Sequence, residues 1–309
     1  MSSITTSTGA FFERSRSDIK SLSSQAETLQ SQLSSGNKLD RSSDNPVAAS
    51  RLRALARMDS LSKIDTANAE RANADLTLAG GTMSDMADAI IRAKELATQA
   101  ASSTLTGDQR SAIAAELDQL HNSMFALSNA RDSNGHALFG GEAAGDAYQL
   151  DATGKAQYVG TAQVDDLPLG EGQSVTRSMT GPQFLSFTGK NGSATDVMAT
   201  VQALSDALKS GTGTVAATGA ATDALTDLQT GLDTLTTAQT VVGSRLNWIE
   251  LTTDRRTDLS ELRSTEQADI GGADLATTMT RLQETLTVLE ASQASFTKLS
   301  SLSLFDQLR

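Results

Sequence analysis

The sequence contains no cysteine. That absence excludes disulfides, thiolate metal sites, iron–sulfur clusters and cysteine nucleophiles together. Histidine is nearly absent as well, with 2 residues, and aromatics make up 4% of the chain, including 1 tryptophan and 2 tyrosines. A compact enzyme core usually draws on aromatics for bulk. Here Leu, Ala, Val and Ile supply the apolar surface, a composition that favours long packed helices over a broad globular core. Proline occurs 3 times, at Pro46, Pro168 and Pro182, so 47–167 and everything after 182 lack the residue that breaks helices. Positive charge is also short: 25 Lys and Arg against 37 Asp and Glu give 25 − 37 = −12. A chain this acidic is a poor match for nucleic acid, which needs cations to displace counterions, and for anionic membrane surfaces. No run of apolar residues reaches membrane-spanning length, so no membrane insertion is expected. Residues 1–16 show no basic stretch followed by an apolar one, which predicts no cleaved secretory signal.

What is present is helical periodicity. With 309 residues the chain is long enough for more than one domain. Phe12, Ile19, Leu22, Ala26, Leu29 and Leu33 recur in steps that are sums of three and four, the stripe of one helix face. Gly36 reads as the residue that stops this helix. After a loop, Asn45-Pro46 reads as N-cap and first helical position. The helix it opens runs through Leu52, Leu55, Leu61, Ile64 and Leu76, and Gly80-Gly81 either breaks it or only weakens it. Met83, Met86, Ile90, Ala93, Ala97 and Ala100 continue the spacing. Thr106 and Gln109 form a capping box ahead of Ile113, Leu117, Leu120, Met124 and Leu127.

From 132 to 193 the periodicity vanishes and Gly, Asp and aromatics appear. Residues 147–150 and 156–159 flank a turn and predict a β-hairpin. Strands are also expected at Ser174–Ser178 and Phe184–Thr188, with Asn191-Gly192 as a turn. Helix resumes at Val197–Leu208. A Gly/Ala/Thr segment, 210–222, reads as a linker. The cleanest repeat follows: Leu225, Leu228, Leu232, Leu235, Gln239, Val242, Leu246 and Ile249. The last stripe is Met279, Leu282, Leu286, Leu289, Gln293, Phe296, Leu299 and Leu302. The chain goes out along helices, makes a small β-rich excursion and returns along helices.

Each terminal arm alone buries too little to offset the entropy of ordering it, as isolated helices generally do. Two readings follow: the arms become ordered by packing in an assembly, or they form an ordinary antiparallel coiled coil within one molecule. The candidate assembly surface is Phe12, Ile19, Leu22, Leu29, Leu33, Met279, Leu282, Leu286, Leu289, Phe296, Leu299 and Leu302.

The residues of chemistry do not assemble into a site. His121, within a helix, and His136, in a Gly-flanked turn, have no ligand partner at helical spacing, so each reads as a surface or half-buried side chain. Gly211-Thr212-Gly213-Thr214-Val215-Ala216 matches G-x-G-x-x-A but follows a helix, so the dinucleotide reading fails. Asn191-Gly192-Ser193 fits a glycosylation acceptor and equally a turn. The pairs Asp165-Asp166 and Glu142/Asp146 read as solvated acids, not as a calcium loop. No nucleophile elbow or zinc-hydrolase motif occurs. No catalytic, cofactor-binding or metal residue is expected, and no cofactor.

Residues 32–49, which include Leu39-Asp40-Arg41-Ser42-Ser43-Asp44-Asn45-Pro46-Val47-Ala48-Ala49, closely resemble the N-terminal signature of the flagellin superfamily. Glu266–Thr277 resembles its C-terminal partner, and in that family this acidic segment begins the last helix. The resemblance covers roughly 1–140 and 220–309. Asn45-Pro46 and the Leu138-Phe139-Gly140-Gly141 element resemble the members that join hook to filament more than the filament subunits, flagellin itself. Asn45 stands where Asp is commoner, and Gly271-Gly272 is unusual.

The resemblance implies a mainly α fold: a long helical coiled-coil bundle built from N- and C-terminal segments, with a small β-rich insert. In the family's terms, 1–40 and 266–309 would be terminal coiled-coil arms (D0-like). Residues 41–131 and 224–265 would form the helical bundle (D1-like), with 194–223 a helix and linker returning to it. Residues 132–193 would be the outer insert (D2-like). The implied job is structural: an adaptor at the hook–filament junction of the bacterial flagellum, exported by the flagellar type III apparatus, serving motility. Its implied partners are a homo-oligomeric ring of its own copies, the first hook-associated protein, flagellin, and a cytoplasmic export chaperone on the C-terminal arm. The alternative within the family is a flagellin. Outside it, a secreted effector or enzyme presenting 132–193 on a helical stalk would need a cleft with convergent polar groups, and the sequence offers none.

Overall fold

The computed structural model describes residues 2–39, 41–210 and 214–307, with side chains for 10–39, 41–210 and 215–300. Asp40, Gly211–Gly213 of the G-x-G stretch and the Leu302 side chain therefore lie outside the described residues. In chain order the elements are α1 (Ser2–Ser35), α2 (Pro46–Ala100), α3 (Gly107–Ser128), β1 (Tyr148–Leu150), β2 (Ala156–Tyr158), β3 (Asp166–Gly170), β4 (Gln173–Thr176), α4 (Gly181–Leu185), β5 (Ser186–Thr188), β6 (Ala194–Asp196), α5 (Val197–Lys209), α6 (Thr214–Gly271) and α7 (Leu275–Gln307). The expectation of a mainly α fold with a small β-containing insert is borne out. The chain divides into two compact units, Met1–Ser60 with Thr257–Arg309, and Leu61–Arg256.

In the first unit α1 and α7 pair, and Phe12 meets Phe296 edge-on with ring centroids 5.6 Å apart. The loops that follow α1 and precede α7 are stitched together. Lys38 N donates to Gly271 O at 2.7 Å, Ala273 N donates to Gly36 O at 2.9 Å, and Asn37 bridges Gly272 antiparallel. Gly36 ends α1 at φ 70°, as its position predicts. Asn45 caps α2 by accepting from Ala48 N at 3.1 Å. Arg51 forks onto Glu266, and Asp59 accepts from Arg263 and Gln267.

The acidic stretch Glu266–Gly271 ends α6 instead of opening the last helix. Gly272 N closes back on Ala268 O at 2.8 Å, and Asp274 is the residue that caps α7, accepting from Ala276 N and Thr277 N. The cap sits at Asp274 because a carboxylate accepts from the orphan donors of a first turn.

The second unit holds the core. Leu76, Met83, Met86 and Ile90 of α2, Leu117 and Met124 of α3, and Leu228 and Leu235 of α6 have no exposed surface. This packing explains why α2 runs unbroken through Gly80-Gly81. Two glycines cost a helix about 2 kcal/mol relative to alanine, less than the burial of the flanking Leu76 and Met83 stabilises. The expected linker at 210–222 is helical from Thr214 onward. Alanine is the best helix former, and Ala217 and Ala221, one turn apart, both pack into the core.

The capping box of α3 is present, with Thr106 and Gln109 bonded reciprocally. The insert is three separate antiparallel hairpins rather than one sheet. β1 pairs with β2 in the register Tyr148↔Tyr158, and the two rings pack 5.3 Å apart. β3 and β4 pair around Glu171, with a register shift between Pro168 and Gly170. The strand expected at Phe184–Thr188 is a short helix, α4, that becomes strand only at Ser186. Phe184 and Leu185 are both fully buried there, whereas strand alternation would have turned one of them to solvent. β3 and β6 went unread, because each is short and carries Pro168 or an Asp that caps the next helix.

Candidate assembly surface

On α1 the inward positions are Phe12, Ile19, Leu22 and Leu33, half-buried, with Ala26 and Leu29 buried at 7% and 9%. These are the positions that spacing selected. On α7 the inward face is Thr278, Leu282, Thr285, Leu289, Ser292 and Phe296. Only three of the six described α7 residues in the candidate surface, Leu282, Leu289 and Phe296, lie on it. Met279, Leu286 and Leu299 are 53%, 42% and 44% exposed.

So α7 turns one face to α1 and carries partly exposed apolar side chains on both flanks of it, Leu275, Met279 and Leu286 on one side and Val288 and Leu299 on the other. The sequence hid this because threonine takes inward positions. Thr285 is 8% exposed and returns its hydroxyl to Arg281 O at 2.7 Å, which lets a polar residue sit in the seam without an orphan donor. Between the two arms lies a shallow groove of about 350 Å³, lined by Phe11, Ile19, Val288, Phe296 and Leu299. Phe11 is 48% exposed at its edge. Gln293, read as a seam residue, is exposed.

The motif Leu138-Phe139-Gly140-Gly141 is a buried corner where α3 hands over to the insert. Leu138 N donates to Ala130 O at 2.8 Å, Phe139 O accepts from Gly181 N at 3.0 Å, and the Phe139 and Phe184 rings pack 4.7 Å apart. Gly141 stands at φ 67°, and a Cβ there would lie 2.5 Å from Thr161 O. Only glycine fits. Asn45 and Pro46 are likewise structural, as the cap and first residue of α2.

Titratable groups do not converge on a reaction centre. His121 is buried, 7% exposed, not a surface or half-buried side chain as its sequence context predicts. Leu117 and Met124 beside it are both fully buried, so its helix face is the core face. His136 sits in an exposed turn over Asp132, whose carboxylate accepts from His136 N and Asn134 N. Burial raises Asp75 on α2 above the ordinary carboxylate range, with Asp132 adding to it. Glu142 shares a hydrogen bond with Asp165, which raises it, while Asp146 pairs with Arg131. Among the described residues no group of acidic or imidazole side chains could hold a metal ion, and no helix is long and apolar enough to cross a membrane.

The arrangement is one of helix surfaces and caps, and known proteins share it. The family model for the bacterial flagellin N-terminal helical region matches residues 7–144. Flagellar hook-associated protein 3 of Escherichia coli (strain K12) is 26% identical over 297 residues, covering 91% of this chain and 93% of that protein. Its namesake in Salmonella typhimurium (strain LT2) is 27% identical over 135 residues, 44% of this chain and 43% of that one. Among solved structures, a putative flagellar hook-associated protein from Vibrio parahaemolyticus superposes with a TM-score of 0.67 at 20% identity, over 74% of this chain and 100% of that one. The flagellar junction protein FlgL of Legionella pneumophila gives 0.60 at 15% identity, over 72% and 99%. These structures share the fold. The resemblance to the flagellin superfamily is borne out by the family model over residues 7–144 and by the similarity to flagellar hook-associated protein 3 along nearly the whole chain.

Proposed function

We infer that this flagellin-like chain is a structural protein of the bacterial flagellum and serves as the adaptor at the hook–filament junction. The observation that carries the reading is its similarity to flagellar hook-associated protein 3 along nearly the whole of both chains. The physical arrangement supports a structural role. The polar side chains cap helices and stitch loops, and part of the apolar surface left over lies on the arm helix α7.

In this reading the exposed apolar side chains on the two flanks of α7, Leu275, Met279 and Leu286 on one and Val288 and Leu299 on the other, with Phe11 of α1, pack against neighbouring subunits. The inward set, Phe12, Ile19, Leu22, Leu29, Leu33, Leu282, Leu289 and Phe296, holds the two arms to each other. Both readings of the arms then apply, one to the inward face of α7 and the other to its flanks. Arms 1–40 and 266–309 form the assembling layer, and copies of the chain form a ring between the first hook-associated protein and flagellin. The chain travels unfolded through the flagellar type III apparatus, with a chaperone covering the C-terminal arm beforehand. It performs no catalysis.

The test is electron microscopy of cells lacking the gene. Hooks without filaments, with monomeric flagellin in the medium, are the expected result. Intact filaments on those cells would overturn the reading. Growth of long filaments from the purified protein on filament seeds would show that it is a filament subunit instead.

A further inference from the structure

We propose that the seam between α3 and α5 is a pH-sensitive latch, with His121 as its sensor. The proposal is independent of the flagellar reading. α5 packs along α3 through a face set by Ser205, whose hydroxyl reaches Ala114 O at 3.1 Å and Asp118 Oδ1 at 2.6 Å. His121 lies one turn beyond Asp118 on that face, between Leu117 and Met124, which are both fully buried. It is 7% exposed, and its Nε2 has no hydrogen-bond partner. Gln202 Oε1, on α5, is likewise buried without one.

An imidazole in such a place is neutral, because burial penalises its charged form and pushes it below the ordinary 6.5. The charged groups that face it are Asp196 at the end of β6, Asp206 of α5 and Asp118 of α3, with Asn122 bonded to it from its own helix. These favour the imidazolium but do not overcome burial. Two of them already have other work. Asp196 caps α5, accepting from Ala199 N at 2.8 Å, and Asp118 holds Ser205 and Lys209.

The closed seam therefore binds the His121 proton more weakly than the opened one does. Closure is fully favoured above about pH 6.5 and weakens as pH falls below it. Asp196 works in the opposite sense lower down. Burial holds its carboxyl above the usual range, so its protonation at lower pH eases the closed state. β6 runs directly into α5, so release of α5 also loosens the β5–β6 hairpin.

The test is amide hydrogen exchange of the full-length protein between about pH 7.5 and 5.5, corrected for the intrinsic pH dependence of exchange. Uptake of one proton on opening changes the opening constant by up to about tenfold per pH unit. Amides of Val197–Lys209 should exchange faster as pH falls below 6.5, while those of α6 stay level. In His121→Leu that acceleration should vanish. In Asp196→Asn, which keeps a capping side chain but removes the charge that most favours the imidazolium, it should steepen. Exchange in α5 that ignores pH, or an undiminished slope in His121→Leu, would overturn the proposal. If His121→Leu fails to fold, an unchanged slope in Asp196→Asn does so alone.

Discussion

The two units of this chain are built from the same helix-forming residues, yet they bury them differently. In Leu61–Arg256, helices from three parts of the sequence and the corner at Leu138–Gly141 meet around side chains with no exposed surface, among them Met83, Met86, Phe139 and Phe184. In the unit that pairs α1 with α7, Leu55 at 1% is the one large apolar side chain, among the described residues, that is fully enclosed. Its arm seam consists of half-buried leucines and phenylalanines alternating with Ser and Thr. A two-helix pair has only one buried stripe per helix. It cannot enclose side chains the way a bundle does, so its apolar excess stays outside. A partially covered apolar surface points to a partner. Both units leave large apolar side chains in solvent, Ile64, Val215 and Leu251 in the second among them, but only the second also encloses a core.

Mutations sharpen this contrast, beginning with the core. Phe184→Ala removes a wholly buried ring and should cost about 3–5 kcal/mol. The lone Trp248, inside the second unit, should report it as a lowered denaturant midpoint in fluorescence. Gly141→Ala should come next, at about 2–4 kcal/mol, since it combines a left-handed backbone with a Cβ driven toward Thr161 O. Leu289→Ala in the arm seam should cost only about 1 kcal/mol, because the side chain is already half in water. It should leave the Trp248 transition where it was. A Leu289→Ala loss equal to that of Phe184→Ala would break the comparison, because the arms would then hold a core of their own. The smallest effect belongs to Arg51→Ala. Its fork onto Glu266 is solvated, and the melting temperature should not move.

Much of this was legible in the sequence where one residue decides one backbone event. Gly36, Asn45-Pro46 and the Thr106–Gln109 box stop or start helices where they stand. The α1 stripe was legible because each of its large apolar residues from Phe12 to Leu33 is half-buried or buried, with Ser15, Ser23, Ser31 and Gln32 filling in beside them. The α7 stripe was not, because Thr278 and Thr285 are inward while Met279 and Leu286 beside them are outward. Hydrophobicity alone then selects the wrong neighbour at two places. Gly80-Gly81 and the Ala/Thr segment at 214–222 were misjudged for a related reason. Their conformation is set by what packs on them, and tertiary packing outweighs a local preference of about 1 kcal/mol. The glycine pair in the Leu-Phe-Gly-Gly corner was visible as a motif, but the contact that requires it, with Thr161, comes from a loop twenty residues on.

The claim that organises the molecule is that its second unit is held by an enclosed core and its arms are not. Hydrogen exchange of the free protein beside the same protein in isolated hook–filament structures tests it most directly. The account predicts that α1 and α7 exchange quickly in the free chain and slowly in the assembly, while the core helices of 61–256 exchange slowly in both. Arms equally protected in the two states would contradict it.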